Sequence, residues 1–253
     1  MTTIGIIGGS GLDNPSILKN GHKVTVTTPC GDTTSPLTVG QIAGINTVLI
    51  ARHGNQHIYP PTQVNFRANI HALKEQGCTH IISTAACGSL RDEIKRGDLV
   101  ILDQFIDFTR RRHLTFFDAF KPGAENAVHT AMPDPFDESM RQKLIANCRK
   151  LQYKHHERGT VITIEGPRFS TRAESNMYRI WGADVVNMTV ANEAILANEA
   201  HIPYATVAIS TDYDSWKVDE APCAWPEILR IFQENVERVT RLILETIPLI
   251  AAG

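Results

Sequence analysis

The chain of 253 residues carries 25 basic and 27 acidic side chains, a formal net charge of −2, with 42% hydrophobic and 21% charged residues. This mixture excludes a disordered or collagen-like chain and leaves no electrostatic footprint for nucleic acid or an anionic membrane surface. The length supports one self-sufficient core, and a compact protein that handles a small molecule is the default reading.

Met1-Thr2-Thr3 runs straight into the apolar Ile4–Ile7, with no basic segment or long apolar run, so no targeting signal is expected. Strands are predicted at Ile4–Ile7, Lys23–Thr27, Thr47–Ala51 and His80–Thr84, then at Leu99–Leu102, Val161–Ile164, Val185–Met188 and Tyr204–Ile209. Several are apolar throughout, as strands covered on both faces must be. Helical periods run from Asn65 to Glu75, closed by Gly77, from Glu138 to Leu151, from Thr171 to Ile180 and from Pro226 to Thr246. The alternation predicts an α/β fold, a single domain over residues 1–253 with a twisted mixed β-sheet flanked by helices. Lys23–Thr27 and Thr47–Ala51 read as an antiparallel pair with Gly40 and Gly44 between them, and the polar stretch from Arg110 to Pro135 reads as a long functional excursion. No stretch has the ~18 apolar residues of a membrane span. The five cysteines are scattered, without a C-x-x-C pair, which argues against a disulfide framework or structural zinc and for a reducing, cytoplasmic setting.

Six predicted strand ends carry chemistry. Gly8-Gly9-Ser10-Gly11 is a tight turn or a phosphate cradle, since its backbone N–H groups and the Ser10 hydroxyl suit an anion. Arg52-His53-Gly54 offers a planar fork and an imidazole at a strand end, against a surface ion pair as the plainer alternative. Thr84-Ala85-Ala86-Cys87-Gly88-Ser89 suits a turn whose backbone faces a ligand, or close packing. Glu165-Gly166-Pro167-Arg168-Phe169 supplies an aromatic platform for a planar base, unless Phe169 is core. Asn187-Met188-Thr189 and Thr211-Asp212-Tyr213-Asp214 close the last two, and the D-x-D places two carboxylates on one side of the chain. Such a pair can bind a metal, accept from a ligand amine or deliver a proton, against a solvated turn as the plainer alternative; no third ligand stands at metal spacing. Together they describe an anion site beside a planar, amine-bearing ligand, suited to transfer of a group to phosphate.

In this order the motifs resemble those of the trimeric purine nucleoside phosphorylase superfamily, in particular its 5′-methylthioadenosine branch, over nearly the whole chain. The resemblance implies phosphorolysis of 5′-methylthioadenosine to adenine and 5-methylthioribose 1-phosphate, a step of purine and methionine salvage. It implies no cofactor and no metal, with inorganic phosphate as co-substrate, and a homotrimer or dimer of trimers with no nucleic-acid or membrane partner. By motif, Ser10, Arg52, His53 and Thr189 would hold phosphate, with Met188 under the ribose. Ala86, Cys87, Gly88, Phe169 and Ser170 would border the nucleoside. Asp212 and Asp214 would be the catalytic pair at the base, Asp212 giving a proton to purine N7. His129 would be lent by a neighbouring subunit, and Arg110–His113 is read as interface. Four departures from the branch stand out: Ser10 for threonine, Ala85 for threonine, Asn192 for proline, expected to shift its turn, and the stretch Cys223-Ala224-Trp225-Pro226 for small aliphatics, expected to reshape the pocket for the 5′ substituent. Competing readings are a broader or 6-oxopurine nucleoside phosphorylase, a Rossmann-type nucleotide-binding protein and a non-catalytic paralogue. The two aspartates, the missing third glycine and the intact Arg52-His53 set argue against them in turn.

Overall fold

The computed structural model describes residues 1–9, 15–220 and 224–253, so Ser10 and Cys223 lie outside the described residues. The chain begins with β1 (Thr3–Gly8), β2 (Lys19–Val24), the short pair β3 (Thr27–Thr28) and β4 (Gly31–Asp32), β5 (Leu37–Ile42) and β6 (Ile45–Ala51). Next come α1 (Phe66–Glu75), β7 (His80–Ser89), β8 (Leu99–Ile101), β9 (Gln104–Phe108) and α2 (Glu138–Lys150). The second half holds β10 (His155–His156), β11 (Thr160–Ile164), α3 (Arg172–Ile180), β12 (Val185–Asn187), α4 (Val190–Glu199), β13 (Tyr204–Tyr213) and α5 (Trp225–Ala251).

Eleven strands form one mixed sheet, along the path β10-β8-β13-β7-β1-β6-β5-β2 with β9, β11 and β12 branching from β7. Its centre is parallel: β1 pairs β6 and β7, and β7 pairs β13. The apolar runs Ile4–Ile7 and Tyr204–Ile209 lie here, buried on both faces as their composition requires. The expected antiparallel pair is not direct. The Leu37–Ile42 strand lies between its two members, antiparallel to each. Gly40, which stands between the two predicted strands, sits within this intervening one.

Local sequence fixes the helix starts. Asn65 accepts from the Ala68 N–H and Asp137 from the Met140 N–H, satisfying first-turn donors. Thr171 and Glu174 close a reciprocal capping box at the start of α3, directly after Phe169 and Ser170. Helices α1 and α4 cover one face of the sheet and α2 and α5 the other, burying Ile70, Leu73 and Leu196 on one side and Leu144, Val239 and Ile243 on the other. Among the described residues no helix is long and apolar enough to cross a membrane, and Cys30, Cys78, Cys87 and Cys148 are free thiols. The excursion of residues 109–137 has a single 3-10 turn. Arg67 pairs with Asp118, and Thr115 Oγ1 and Phe116 N donate to Glu199, which ties the excursion to α1 and α4.

Candidate active site

The parallel strands β1, β6, β11 and β12 end, and β13 bulges, around one cavity of about 490 Å³. Ligand sites of open α/β sheets lie at such carboxyl ends. Among the described residues, every expected site residue except His129 lines this cavity.

At one end stand Arg52, His53 and Thr189. Arg52, 1% exposed, faces the Glu193 carboxylate with Nε and with Nη2, the latter 3.0 Å from Oε2, and donates through Nη1 to the Thr84 carbonyl at 2.8 Å. Burial alone would push its guanidinium down; Glu193 more than offsets this, and the group stays charged. The Tyr204 hydroxyl donates to the same carboxylate at 2.8 Å. Thr189 is the N-cap of α4, yet its side chain caps no backbone N–H of the helix. Thr163 Oγ1 accepts from the Ala191 N–H at 3.0 Å instead, and the start of α4 and Arg52 meet at this end, a setting that favours an anion. The His53 ring stacks on His57 at 4.2 Å, and its Nδ1 lies 2.9 Å from the Tyr59 carbonyl. Burial, Arg52 and His57 push the His53 imidazole down to about 3.

The other end is built by the second half of β13. Its register against β7 shifts between Ser210 and Asp212, a bulge that sets Asp212 opposite Gly88. Asp212 and Asp214 are both buried, and both pack over the bare Cα of Gly88. Thr211 Oγ1 donates to Asp212 at 2.8 Å and Asp214 N to the Ser89 carbonyl at 3.0 Å. Burial pushes the Asp214 carboxyl up, opposed by the Ser175 and Ser170 hydroxyls and the Ser215 backbone. Its Oδ2 is buried and meets no hydrogen-bond donor among the described residues. A buried acceptor of this kind is costly unless a ligand donor satisfies it. Burial and the neighbouring Asp212 push the Cys87 thiol well up, so Cys87 lines the wall as an inert group.

Met188 also lines the cavity. Gly166 has φ +65, and a Cβ there would fall inside the Met188 sulfur, so this strand exit tolerates no side chain. Phe169 and Trp225 are half-exposed at the cavity mouth, where Trp225 tilts against His57 at 5.4 Å. Arg112, expected at an interface with its neighbours in sequence, has a side chain only 2% exposed and turned inward. It donates to Glu165 Oε1, to the carbonyls of Glu165 and Met188 and to Asn192 Oδ1, all within 3.0 Å. Asn192 thus occupies the first turn of α4 and takes a guanidinium donor.

His129 lies elsewhere, in a second cavity with Asp134, Asn198 and His201. Sequence reasoning missed Glu193, Tyr204 and Arg112, the groups that hold Arg52 and Met188 in place. The one available signal for Glu193 was an acidic residue within Val190–Leu196, a run apolar but for it and Asn192. Among the described residues no group of three or more His, Cys, Asp or Glu is placed to hold a metal ion.

A family model described as the phosphorylase superfamily matches residues 3–248. The chain is 50% identical over 250 residues to S-methyl-5′-thioadenosine phosphorylase of Xenopus tropicalis, covering 98% of this chain and 89% of that protein. The enzyme of the same name from Danio rerio is 49% identical over 245 residues, with 97% and 88% covered. Among solved structures, methylthioadenosine phosphorylase from Schistosoma mansoni in complex with adenine superposes with a TM-score of 0.94 at 41% identity, covering 100% of this chain and 93% of that one. The tubercidin complex of the same enzyme gives a TM-score of 0.91 at 40% identity, with 100% and 93% covered.

Proposed function

Because the chain belongs to the phosphorylase superfamily, we propose that its cavity phosphorolyses 5′-methylthioadenosine to adenine and 5-methylthioribose 1-phosphate. The observation that carries the reading is one cavity with an anion-favouring end, Arg52 and Thr189 at the start of α4, facing a buried carboxylate pair with an unsatisfied Asp214 Oδ2. The names of the Xenopus and Danio relatives and the adenine-bound Schistosoma structure support the same substrate class.

Phosphate sits against Arg52, His53, Thr189 and Ser10, below the ribose on Met188. One of its oxygens bonds C1′ as the C1′–N9 bond breaks, and the electron pair of that bond stays on the purine. The phosphate charge stabilises the developing ribosyl cation, while Asp212 gives a proton to N7 and relieves the charge on the leaving base. Asp214 Oδ2 accepts from the exocyclic amine. A 6-oxopurine offers an acceptor at that place, so two carboxylates repel it, and adenine nucleosides are favoured over inosine-type ones. Phe169 and Ser170 border the base, with Ala86, Cys87 and Gly88 along the wall, and Trp225 closes the 5′ side. Inorganic phosphate is co-substrate and no cofactor is needed. The unpaired thiols fit a reducing cytoplasm.

The test is adenine release from 5′-methylthioadenosine with and without phosphate, beside adenosine and 5′-methylthioinosine. Release that needs phosphate and is fastest from the methylthio compound is expected. Faster release from the inosine analogue would overturn the role given to the aspartates.

A further inference from the structure

His53 poses a problem for an anion site. A carbonyl only accepts, so the 2.9 Å contact to the Tyr59 oxygen puts the ring proton on Nδ1. The groups that bear on the ring are Arg52 from the end of β6, His57 stacked on its face and Arg112 from the excursion. All three disfavour a second proton, and the imidazole is neutral in the free protein. The two guanidinium groups are themselves matched, Arg52 by Glu193 and Arg112 by Glu165. Nε2 therefore brings a lone pair to the cavity, with no hydrogen-bond partner among the described residues. An unprotonated oxyanion oxygen is repelled by a lone pair; an O–H is attracted by it.

From this geometry we infer that His53 is a specificity-determining residue: its Nε2 accepts the O–H of a protonated tetrahedral oxyanion, so the cavity selects monohydrogen phosphate over sulfate. The inference rests on the reading that phosphate binds at the Arg52 end. It orients the ligand as well, because the protonated oxygen faces His53 and leaves the charged oxygens for Arg52, Thr189 and the ribose. The proton count closes. The bound phosphate keeps its proton at Nε2 while another oxygen bonds C1′. The sugar phosphate then leaves as a dianion and returns that proton, which balances the one Asp212 gave to the purine.

The experiment is calorimetric titration of the whole protein with inorganic phosphate and with sulfate at about pH 8.5, where inorganic phosphate is almost wholly the monohydrogen dianion. It is run in two buffers of different ionisation enthalpy. Phosphate is expected to bind at least about tenfold more tightly than sulfate, since sulfate leaves Nε2 unpaired against an oxygen. Phosphate binding is expected to take up no proton. In His53→Gln, whose amide can donate, the gap should fall to about threefold or less. A gap below tenfold in the parent, or uptake of about one proton, would overturn the inference, and both measurements need no variant. A gap that survives in His53→Gln would also overturn it. If these fail while phosphate still drives adenine release, the selectivity argument falls alone; absence of phosphate-dependent release strikes the phosphorolysis reading as well.

Discussion

At Gly88 the lack of a side chain lets two carboxylates sit side by side. A Cβ there would lie 3.1 Å from Asp212 Oδ2, 3.2 Å from Val186 Cγ1 and 3.4 Å from the Asp214 Cβ. Gly88→Ala must therefore displace the proton donor by a few tenths of an ångström while leaving the Arg52 end untouched. Steady-state assays should show kcat/KM for the nucleoside falling about tenfold to a hundredfold, with phosphate affinity by calorimetry unchanged. An equal loss of phosphate affinity would mean that the two ends are not separable. His53 makes a second prediction at this scale. Its imidazole is held down to about 3, against about 6.5 in the unfolded chain, so between these values the unfolded chain binds more protons. The contribution of neutral His53 is thus fully present above about pH 6.5 and is lost as pH falls toward 3. The slope is at most about 1.4 kcal/mol per pH unit, and less for a ring that keeps some contact with solvent. Asp214, whose carboxyl is raised by burial, works in the opposite sense, but it is shared by parent and variant and cancels in their difference. Urea unfolding at pH 7 and pH 5 should show His53→Gln losing less stability than the parent, by about 1–2 kcal/mol. Equal losses would show that the ring is protonated in the folded state.

The first turn of α4 joins the anion end to the cavity floor. Glu193 matches the buried Arg52, and Asn192 next to it takes a donor from Arg112, which also holds the Met188 carbonyl. Removing one partner of a buried ion pair costs about 3–5 kcal/mol, because the other charge stays behind unpaired. Glu193→Gln is expected to lose stability in that range by urea unfolding, and added phosphate should stabilise it more than the parent, since the anion then meets an uncompensated guanidinium. A phosphate effect no larger than in the parent would remove Arg52 from the anion site. This helix is also where the sequence was hardest to read. Val190–Glu199 is buried almost all round, so it has no polar face and no 3.6-residue alternation to betray a helix. The half-buried Gln104–Phe108 strand and the Gly40-bearing one lacked the long β-branched run that marks Ile4–Ile7 or Tyr204–Ile209. What was legible were the strand exits, because glycines, hydroxyls, Arg52-His53 and the D-x-D stand out against apolar strands. The groups that orient them, Glu193, Tyr204 and Arg112, come from elsewhere in the chain and meet the site only through the fold.

Over the whole molecule the excursion of residues 109–137 raises the question of assembly. Phe117, Phe120 and His129 are exposed on it, and His129 packs edge-on against Phe120 at 5.9 Å, away from the chain's own cavity. Arg112 is turned inward and engaged with Glu165, Met188 and Asn192, so the root of the excursion is anchored while its tip projects. The family resemblance implies that the tip completes the 5′ end of a neighbour's site in a cyclic trimer, so that each site draws on two chains. That arrangement has a consequence a self-contained site lacks. Asp212→Asn disables the cavity of its own chain, and His129→Ala disables the neighbour's. Each variant alone should turn over the nucleoside poorly. In trimers co-expressed from equal amounts of both, a site works only where a chain with intact Asp212 meets a neighbour with intact His129. Random assembly around a three-fold axis gives that pairing at about a quarter of the sites. Purified mixed trimers, selected by two different tags to remove the homotrimers, hold one such site in three and should therefore recover about a third of the parent rate. If light scattering shows a monomer, or if the mixture is no more active than the better single variant, His129 serves no neighbouring site.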